Sequence, residues 1–523
     1  MGYRAYGIST KRLLRAARAR SRRIAGASID SQFKLPLDEL EFLTNNLVGH
    51  VVLPNHPSYQ EERKLFNHRF DPHPSAIVHC LVERDVKLCL DAVRRNKTRF
   101  RIRAGGSSFA GYSANDGVVV DVSGLNDVCI DSARLVATVG SGCSLAKLRA
   151  VLDDHEMHLP LADAKAVRVG GFMQGGGFGS TSRTFGINSD RVLAVRVMLA
   201  DRRIVQASET LNHDLWWAVR GGTGGNFGVL LTTSYRLHPA PKPKTWCLGW
   251  RLSRDTDLDN AVSALMTLQS SFTRSGSPIE MNVSVAVLYL ADTPEGPPHI
   301  PCLVMSGTYI GKESAMDALL APLLANPGCW PMFQPLLGTR PGQKFDRYSR
   351  LVSCQLRPND WRSILSHFLA GAPNRLATLQ IDVWGGAISS YARDKSAFIH
   401  RDAVLNIALT SWWQDAHEAS ASRAFLSSWS HLMTPLWNGH IYQNFPNAEA
   451  PDYRWNYWGE AFPALLGVKR KYDPDGLFDF PQAIKSCEQN ATAPAWPPRV
   501  VESLNKSIRL SGSPHGRGMQ CFI

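Results

Sequence analysis

The sequence lacks the features that mark a membrane, exported or disulfide-bonded protein. Its 523 residues contain no apolar run of the roughly 18–20 residues that a transmembrane helix needs. The ten cysteines include no C-x-x-C pair, so neither a zinc site nor a redox pair is indicated. Their scattered spacing predicts buried, reduced thiols, with one disulfide left open as an alternative. No apolar segment follows the Ser21-Arg22-Arg23 run, so we predict no export signal. The expectation is a cytoplasmic protein with neither a metal site nor a membrane span.

Acidic residues are absent from the first 29 positions, which hold eight of the basic residues behind the net charge of +13. These residues are Arg4, Lys11, Arg12, Arg15, Arg18, Arg20, Arg22 and Arg23. A basic arm can bind nucleic acid or anionic lipid. The same composition suits a solvated tail, which we favour. We therefore predict no nucleic-acid partner, and we assign residues 1–50 to a basic N-terminal arm and lead-in.

Two common phosphate-binding fingerprints are also missing, although glycine is locally abundant. Residues 169–179 contain six glycines in eleven positions. No Gly-Lys-Ser/Thr follows them, which excludes a Walker loop, and the spacing G-x-G-x-x-G of a Rossmann fingerprint is absent. Phe172 and Met173 within the stretch argue against a flexible linker. We predict a packed loop whose backbone approaches a ligand closely, the alternative being glycines used only for tight turns.

Residue patterns predict an α+β fold in two units that meet at the proline-rich residues 239–243. Before this boundary, helices are predicted at residues 85–93, 145–155 (with Ser144 as N-cap) and 214–219. Strands are predicted at residues 99–104, 117–122, 134–139, 191–199, 203–207 and 229–237, with a hairpin turn at residues 200–202. After the boundary, strands at residues 282–290, 302–307, 376–383 and 404–410 alternate with helices at 258–273 and 419–433. This second pattern predicts a sheet backed by helices.

Three glycine loops and the C-terminal region carry a resemblance to a known family. Arg103-Ala104-Gly105-Gly106-Ser107 is similar to the motif R-x-G-G-H, and residues 169–179 are similar to V-G-G-H-x-x-G-G-G-x-G. Residues 214–229 match D-L-x-W-A-x-R-G-G-x-G-G-N-F-G-V almost letter for letter. Tyr457-Trp458-Gly459, Lys469 and Tyr472-Asp473-Pro474 are similar to the closing segment of the same family. The chain thus resembles the vanillyl-alcohol-oxidase-type flavoproteins, and within them the berberine-bridge-enzyme-like family.

The resemblance implies a domain organisation and a cofactor. It implies a two-part PCMH-type FAD-binding domain at residues 51–240 and a substrate domain with an antiparallel sheet at 241–440. It also implies a berberine-bridge-like segment at 441–485 that returns to the FAD domain, followed by a loose tail at 486–523. FAD would be held with its pyrophosphate against backbone N–H groups of the glycine turns. The implied cofactor-binding residues are Arg103, Ala104, Gly105, Gly106, Ser107, Ser108, Val169, Gly170, Gly171, Gly175, Gly176, Gly177, Gly179, Gly225, Asn226, Gly228, Val229 and Tyr457.

Three departures from the family pattern concern the flavin tethers and the catalytic base. The family's flavin-linking histidine is Ser107 here, and its second tether, a cysteine, is Ala164. Because neither side chain forms the usual covalent bond, we predict non-covalent FAD. The family's catalytic tyrosine is replaced by Phe445. The glutamate that some members carry after the Phe-x-His-Arg motif has no counterpart in residues 403–413.

Asp382 is our main candidate for the base, because it falls where relatives place a residue facing the substrate. A carboxylate in an apolar pocket can have a raised pKa and accept a proton. The alternative is an Asp that only holds a neighbouring backbone group. Tyr442 and His440 are further candidates. An aromatic set could line a pocket for a flat, apolar substrate or belong to the core; it comprises Trp384, Trp412, Trp413, Trp437 and Trp455.

The predicted function is that of an FAD-dependent oxidoreductase acting on a secondary-metabolite-like small molecule. A hydride would pass from a C–H beside an alcohol or amine to flavin N5, with O2 as the expected acceptor. The alternative is a protein that keeps FAD structurally while its pocket catalyses a cyclisation or binds a ligand. The missing tethers and the missing tyrosine motivate this alternative.

Overall fold

The computed structural model describes residues 35–291, 299–332 and 343–487. Residues 1–34 of the predicted arm and lead-in (1–50) and residues 488–523 of the predicted tail (486–523) lie outside the described residues. Within the described ranges, every helix is too short or too polar to cross a membrane.

The first unit is a small sheet with helices packed against it. Its elements are α1 (Leu37–Asn46), β1 (His50–Val52), α2 (Tyr59–Glu62), β2 (Ala76–His79), α3 (Glu83–Arg95), β3 (Phe100–Arg103) and β4 (Val118–Asp121). The strand order is β1-β2-β4-β3, in which β2, β4 and β3 are parallel and β1 is antiparallel to β2. The all-buried β4 is typical of a parallel strand covered on both faces. Leu40 and Leu43 of α1 lie in the same core, so α1 packs as part of this unit.

The second unit is an antiparallel sheet of five strands in the order β5-β6-β10-β8-β9. Its elements are β5 (Val128–Asp131), β6 (Val136–Gly140), α4 (Leu145–Asp154), β7 (Met157–His158), α5 (Val169–Gln174), α6 (Ser182–Phe185), β8 (Val192–Met198), β9 (Ile204–Ser208), α7 (His213–Val219), β10 (Val229–Arg236) and β11 (His238–Pro239). The predicted hairpin is confirmed by the antiparallel pairing of β8 with β9. The predicted cap is confirmed as well, because Ser144 Oγ accepts a hydrogen bond from the Lys147 N–H at 3.1 Å.

Helix α5 occupies the first half of the glycine-rich stretch that the sequence predicted to be a loop. Each glycine in a helix costs about 1 kcal/mol relative to alanine, so local propensity opposes this helix. Tertiary contacts outweigh that cost: the Gly170 N–H donates to Ser141 O at 2.8 Å, and Phe172 and Met173 are buried. The Gln174 side chain also donates to Gly170 O at 2.8 Å. Only residues 175–179 form the predicted irregular segment.

The third unit is a seven-stranded sheet in the order β15-β12-β14-β13-β17-β18-β16. Its elements are β12 (Lys244–Arg251), α8 (Asp255–Phe272), β13 (Met281–Leu290), β14 (Ile300–Tyr309), α9 (Glu313–Leu324), β15 (Trp330–Pro331), β16 (Lys344–Val352), α10 (Pro358–Gly371), β17 (Thr378–Val383), α11 (Ala387–Ser390), β18 (Leu405–Trp413) and α12 (Ala416–Met433). All strand pairs are antiparallel. Helices α8, α10 and α12 cover one face, so the predicted antiparallel sheet backed by helices is confirmed.

The C-terminal segment returns to the second unit. Its helices are α13 (Tyr453–Trp458) and α14 (Phe462–Tyr472). Trp458, Phe462 and Leu465 are completely buried in the same core as β6, β8 and α7. The segment thus leaves the third unit and closes over the glycine loops.

Candidate active site

The three glycine loops meet around helix α5. Gly105 of the first loop lies against the Arg168 side chain, because a Cβ added at Gly105 would be 2.4 Å from Arg168 Cγ. At the other end of the helix, Gln174 O accepts hydrogen bonds from the N–H groups of Gly221 and Thr223, both at 3.0 Å. Short α5 therefore joins loops that are more than a hundred residues apart in sequence.

The residues beside this junction fit a phosphate-bearing cofactor. Gly105 and Gly171 are exposed, and a Cβ added at Gly171 would meet no atom within 4 Å, so its backbone faces open space. Gly106 has φ +68°, a conformation that favours glycine and turns backbone N–H groups toward one side. Ser141 Oγ is buried beside Gly170 and has no hydrogen-bond partner among the described residues. A bound phosphate or ribose oxygen would satisfy this hydroxyl.

The remaining glycines of the second loop pack against protein. A Cβ at Gly175 would lie 2.0 Å from Asn444 Oδ1 of the C-terminal segment, and one at Gly179 would lie 2.2 Å from Leu161 O. Gly176 and Gly177 have φ of +105° and +80° and lie against Phe398 and Phe172. Close packing thus accounts for these four glycines without a ligand.

The third loop is bonded mainly to the C-terminal segment. Asn226 Oδ1 accepts from the Ile484 N–H at 2.9 Å, and Asn226 O accepts from the buried Lys469 ammonium at 2.7 Å. Lys469 also bonds Asp473 at 2.6 Å. A Cβ added at Gly225 would lie 3.7 Å from Phe480, while Gly228 immediately precedes the core strand β10, which begins at Val229. Tyr457 is buried, and its hydroxyl donates to Gln482 at 2.8 Å. These residues hold the loop in place.

Asp382 lies on the face of the large sheet opposite the helices. Leu379, Ile381 and Val383 of β17 point into the helix-covered core, so Asp382 points to the other face. Its carboxylate accepts hydrogen bonds from Ser284 and Gln380, both at 2.9 Å, and from Asn406 at 3.3 Å. Burial raises the pKa of Asp382, while these bonds and the charge of Arg347 act in the opposite direction. No backbone group bonds the carboxylate among the described contacts, so the alternative of a backbone-holding Asp has no support.

Arg347 is the cation of this polar face, and the sequence did not identify it. Its Nε donates to Thr410 at 2.7 Å and its Nη2 to Gln380 at 3.3 Å, so Gln380 bridges Arg347 and Asp382. The guanidinium carbon lies 4.7 Å from the Phe445 ring centroid and 5.4 Å from that of Phe109. Burial lowers its pKa to about 10, which leaves it charged at neutral pH. Strand β16, which carries Arg347, was not predicted, because charged residues occupy both of its faces.

Aromatic side chains from the first unit, the third unit and the C-terminal segment lie against this polar face. Phe445 stacks on Phe109 with ring centroids 5.4 Å apart, and it contacts Tyr442 edge-on at 5.1 Å. Trp384 lies 5.5 Å from Tyr442, and Trp412 lies 4.5 Å from Phe345. Of the predicted tryptophans, Trp384 and Trp412 therefore border the site. Trp437 packs on Arg350 and Trp455 on His440, while Trp413 is buried at the end of β18.

The two other candidate bases occupy different positions. Tyr442 interacts electrostatically with Asp382, so these two lie in one site, but burial raises the pKa of Tyr442 to about 12. Its hydroxyl accepts from the Phe178 N–H at 2.9 Å and from Asn444 at 3.0 Å. His440 lies apart from them, with Nδ1 3.1 Å from Trp455 O. Burial lowers its pKa, and its charged neighbours are Asp402, Arg393 and Glu460.

The two tether positions are partly exposed at the loops. Ser107 follows Gly106 and its hydroxyl is 3.5 Å from Gly105 O, while Ala164 bonds only through its backbone, to the Val167 N–H at 3.1 Å. Serine and alanine offer no imidazole or thiol at these positions.

Comparisons with known proteins support FAD as the cofactor. Residues 74–208 match the family model of an FAD binding domain, and residues 441–485 match the model described as berberine and berberine like. The chain is 29% identical over 458 residues to the uncharacterized FAD-linked oxidoreductase YvdP of Bacillus subtilis (strain 168), covering 84% of this chain and 99% of that protein. The chain is an FAD-linked oxidoreductase, and its two matched domains support the berberine-bridge-enzyme-like family.

Two further relatives bear on this oxidoreductase. The xylooligosaccharide oxidase of Thermothelomyces thermophilus is 26% identical over 476 residues, covering 84% of this chain and 92% of that enzyme. The solved structure of Physcomitrella patens BBE-like 1 has a TM-score of 0.76 at 23% identity and covers 86% of this chain and 100% of that one. The second similarity confirms the α+β, PCMH-type fold of this chain.

Proposed function

We propose that this oxidoreductase binds FAD non-covalently and oxidises a C–H bond beside an alcohol or amine. The observation that carries the proposal is Asp382, a buried carboxylate held by Ser284, Gln380 and Asn406 on the polar face of the substrate sheet. FAD bound at the glycine loops would supply the acceptor for the hydride, with O2 as the proposed reoxidant. The substrate's O–H or N–H proton would pass to Asp382 as the C=O or C=N bond forms.

Each neighbour of Asp382 has a role in this proposal. Gln380 and Asn406 orient the carboxylate, and the charge of Arg347 opposes the rise in its pKa that burial causes. The unprotonated form is the one that accepts a proton. The guanidinium of Arg347, which lies over the rings of Phe445 and Phe109, also suits an oxygen of the substrate.

The surroundings indicate the class of substrate. The aromatic side chains Phe109, Phe445 and Trp384 suit a flat ring, while the sheet beneath them offers hydroxyl, amide and charged groups. We therefore propose a ring-bearing small molecule with several oxygen atoms, a description that includes secondary metabolites and short sugars. None of the nine described cysteines forms a disulfide, but Cys129, Cys354 and Cys487 are exposed and not buried as expected; we propose a cytoplasmic protein.

Acid precipitation tests the mode of flavin binding. Because Ser107 and Ala164 occupy the tether positions, all flavin should appear in the supernatant when the yellow protein is precipitated with acid. Fluorescent flavin that migrates with the polypeptide on a denaturing gel would contradict the non-covalent proposal. A Ser107→His variant is the companion, since it restores an imidazole at the family's linking position.

Anaerobic mixing tests the redox role. We expect loss of the flavin absorbance on mixing with members of a panel of aromatic secondary alcohols, cyclic amines and xylooligosaccharides. Readmitted O2 should restore the absorbance. The second candidate, a protein with structural FAD, is favoured by Phe445, which replaces the phenol, and by the high pKa of Tyr442. It predicts ligand binding without any loss of flavin absorbance.

A further inference from the structure

Two imidazoles are held side by side at the outer edge of the first sheet. Strands β1 and β2 pair so that His50 lies directly opposite His79. The two rings are nearly parallel, at 13°, with centroids 4.5 Å apart. Cross-strand neighbours share one face of a sheet, so the pairing itself brings the ring nitrogens together.

A carboxylate from outside the sheet completes the group. Glu62 ends helix α2, and its Oε2 accepts a hydrogen bond from His79 Nε2 at 2.5 Å. The other carboxylate oxygen accepts from Ser58 at 2.5 Å, which fixes the orientation of the group. One ligand atom from each of His50, Glu62 and His79 lies within 4.8 Å of the other two.

We propose that His50, Glu62 and His79 bind a divalent transition-metal ion, with Zn²⁺ as the test ion. Two imidazole nitrogens and one carboxylate oxygen form a ligand set that Zn²⁺ and related ions accept. Bonds of about 2.1 Å in a tetrahedral site place ligand atoms about 3.4 Å apart, so modest side-chain rotations suffice. The His79–Glu62 hydrogen bond is exchanged for two bonds to the ion. Water or a small anion would take the fourth position.

The charges around the group favour a cation. The carboxylate of Glu62 accepts hydrogen bonds from His79 and Ser58, both at 2.5 Å, and it offers a negative charge to a bound ion. Behind the site, Asp121 Oδ1 lies 3.7 Å from His79 Nδ1, which is too far for a hydrogen bond but adds a negative charge, while Asp121 Oδ2 pairs with Arg103.

The site is accessible and is connected to the first glycine loop. The side chains of His79 and Glu62 are 18% and 20% exposed, so an ion can enter from solvent. Arg103, which begins the first glycine loop, donates to Glu62 O at 2.6 Å. Leu65, three residues after Glu62, lies 3.4 Å from the position of a Cβ at Gly106. A bound ion should therefore stiffen the segment that supports this loop.

Zn²⁺ titration of the FAD-loaded protein tests the proposal. We expect one equivalent of Zn²⁺ to bind, as measured by calorimetry and by metal analysis after gel filtration, and to raise the melting temperature. Glu62→Gln keeps the shape and most hydrogen bonds but removes the charge, so it should weaken binding at least tenfold. His73→Ala is the matched control, because His73 forms an exposed pair with Asp71 at 3.4 Å and should contribute nothing.

A second variant keeps the result interpretable. His50→Gln should lose the Zn²⁺-induced rise in melting temperature while retaining flavin and its circular dichroism spectrum. Two results would overturn the site: wild-type protein that binds Zn²⁺ no more tightly than Glu62→Gln, or wild-type affinity in both Glu62→Gln and His50→Gln. A loss of binding in His73→Ala alone would assign the ion to the exposed pair and would equally overturn it.

Discussion

At the scale of single residues, Asp382 and Arg347 determine the expected pH dependence. If Asp382 accepts the substrate proton, Asp382→Asn keeps the shape but removes the basicity. Flavin reduction should then slow by about 10²–10⁴-fold while FAD binding persists. Because burial raises the pKa of Asp382, the wild-type rate should fall as the pH drops through that pKa, and the Asn variant should lack this limb. Anaerobic stopped-flow absorbance measures both quantities.

The control for this experiment is Asp153→Asn, an exposed position on α4 that should leave the pH profile unchanged. Phe445→Tyr in the Asp382→Asn background is the companion, since it returns a phenol beside Tyr442 and should recover part of the rate. Reduction of Asp382→Asn at the wild-type rate would make Asp382 structural. Tyr442 would then be the next candidate for the base.

The charge of Arg347 should affect the same acid limb, because it lowers the pKa of Asp382 whereas burial raises it. Its positive charge lowers the pKa of Asp382, so replacing it with methionine removes that effect while keeping a long apolar stem. In Arg347→Met, the acid limb of the flavin-reduction profile should move to higher pH. KM for an oxygen-rich substrate should also rise. If the acid limb of this variant stays at its wild-type position, the charge of Arg347 does not affect the pKa of Asp382.

These two residues show what sequence can identify at this scale. Asp382 was located because the Gly385-Gly386 pair and His400-Arg401 aligned it with the substrate-facing position of a known family. Arg347 was missed because its strand carries Asp346 and Arg350 on the face opposite Arg347, which hides the alternation of a half-buried strand. The partners of Asp382 on β13 and β18 depend on strand register, which one sequence does not reveal.

At the scale of elements, substitution of a glycine in α5 tests whether that glycine contacts the cofactor or only packs against protein. Gly171→Val adds a side chain where no atom lies within 4 Å, so the fold should persist. The added side chain projects into the space that the proposal gives to FAD, so flavin content should fall severalfold or more. Gly467→Val is a matched control, because Gly467 is also an exposed helical glycine with nothing within 4 Å, on α14.

Flavin absorbance per polypeptide and circular dichroism together report this prediction. Equal flavin content in the Gly171→Val and Gly467→Val proteins would remove α5 from the cofactor site. Gly106→Val is a less specific test than Gly171→Val, because the φ of +68° at residue 106 strains any β-branched residue whether or not a ligand is present.

Element prediction from sequence succeeded where local signals agree and failed where packing decides. The amphipathic pattern within α3, the Ser144 cap and the β8–β9 hairpin are local signals, and all three are observed. Helix α5 has a sequence that opposes helix formation, and it exists because Ser141 bonds Gly170 from outside the helix and because its own Phe172 and Met173 are buried in the core. Nothing in residues 169–174 alone shows that contact.

At the scale of the whole molecule, the order of units follows from the family resemblance, whereas their docking does not. The buried Arg183 joins the second and third units by donating to Met281 O at 2.7 Å and to Trp384 O. Arg401 and Asp190 form a second buried link at 2.7 Å. Both links connect residues far apart in sequence with no local pattern between them. Composition and motifs thus predict which units exist, and three-dimensional contacts decide how they enclose the site.

The last prediction concerns where the folded unit begins. Leu35 and three leucines of α1, Leu37, Leu40 and Leu43, are buried in the core of the first sheet. Burying a leucine contributes about 2 kcal/mol, so the four together amount to a large part of the roughly 5–15 kcal/mol that stabilises a domain. Deleting residues 1–46 should therefore lower the melting temperature by more than about 10 °C or prevent folding. Deleting residues 1–28 should leave the melting temperature, flavin content and turnover unchanged.

Scanning calorimetry of the two truncated proteins beside the full chain measures the difference. Leu40→Ala in the full chain is the internal control, because a buried Leu→Ala change costs about 2–5 kcal/mol and should lower the melting temperature in the same direction without any truncation. If deletion of residues 1–28 lowers the melting temperature as much as deletion of 1–46, the basic arm is a structural element. If neither deletion lowers it, the leucines of α1 contribute little, and the folded unit begins at β1.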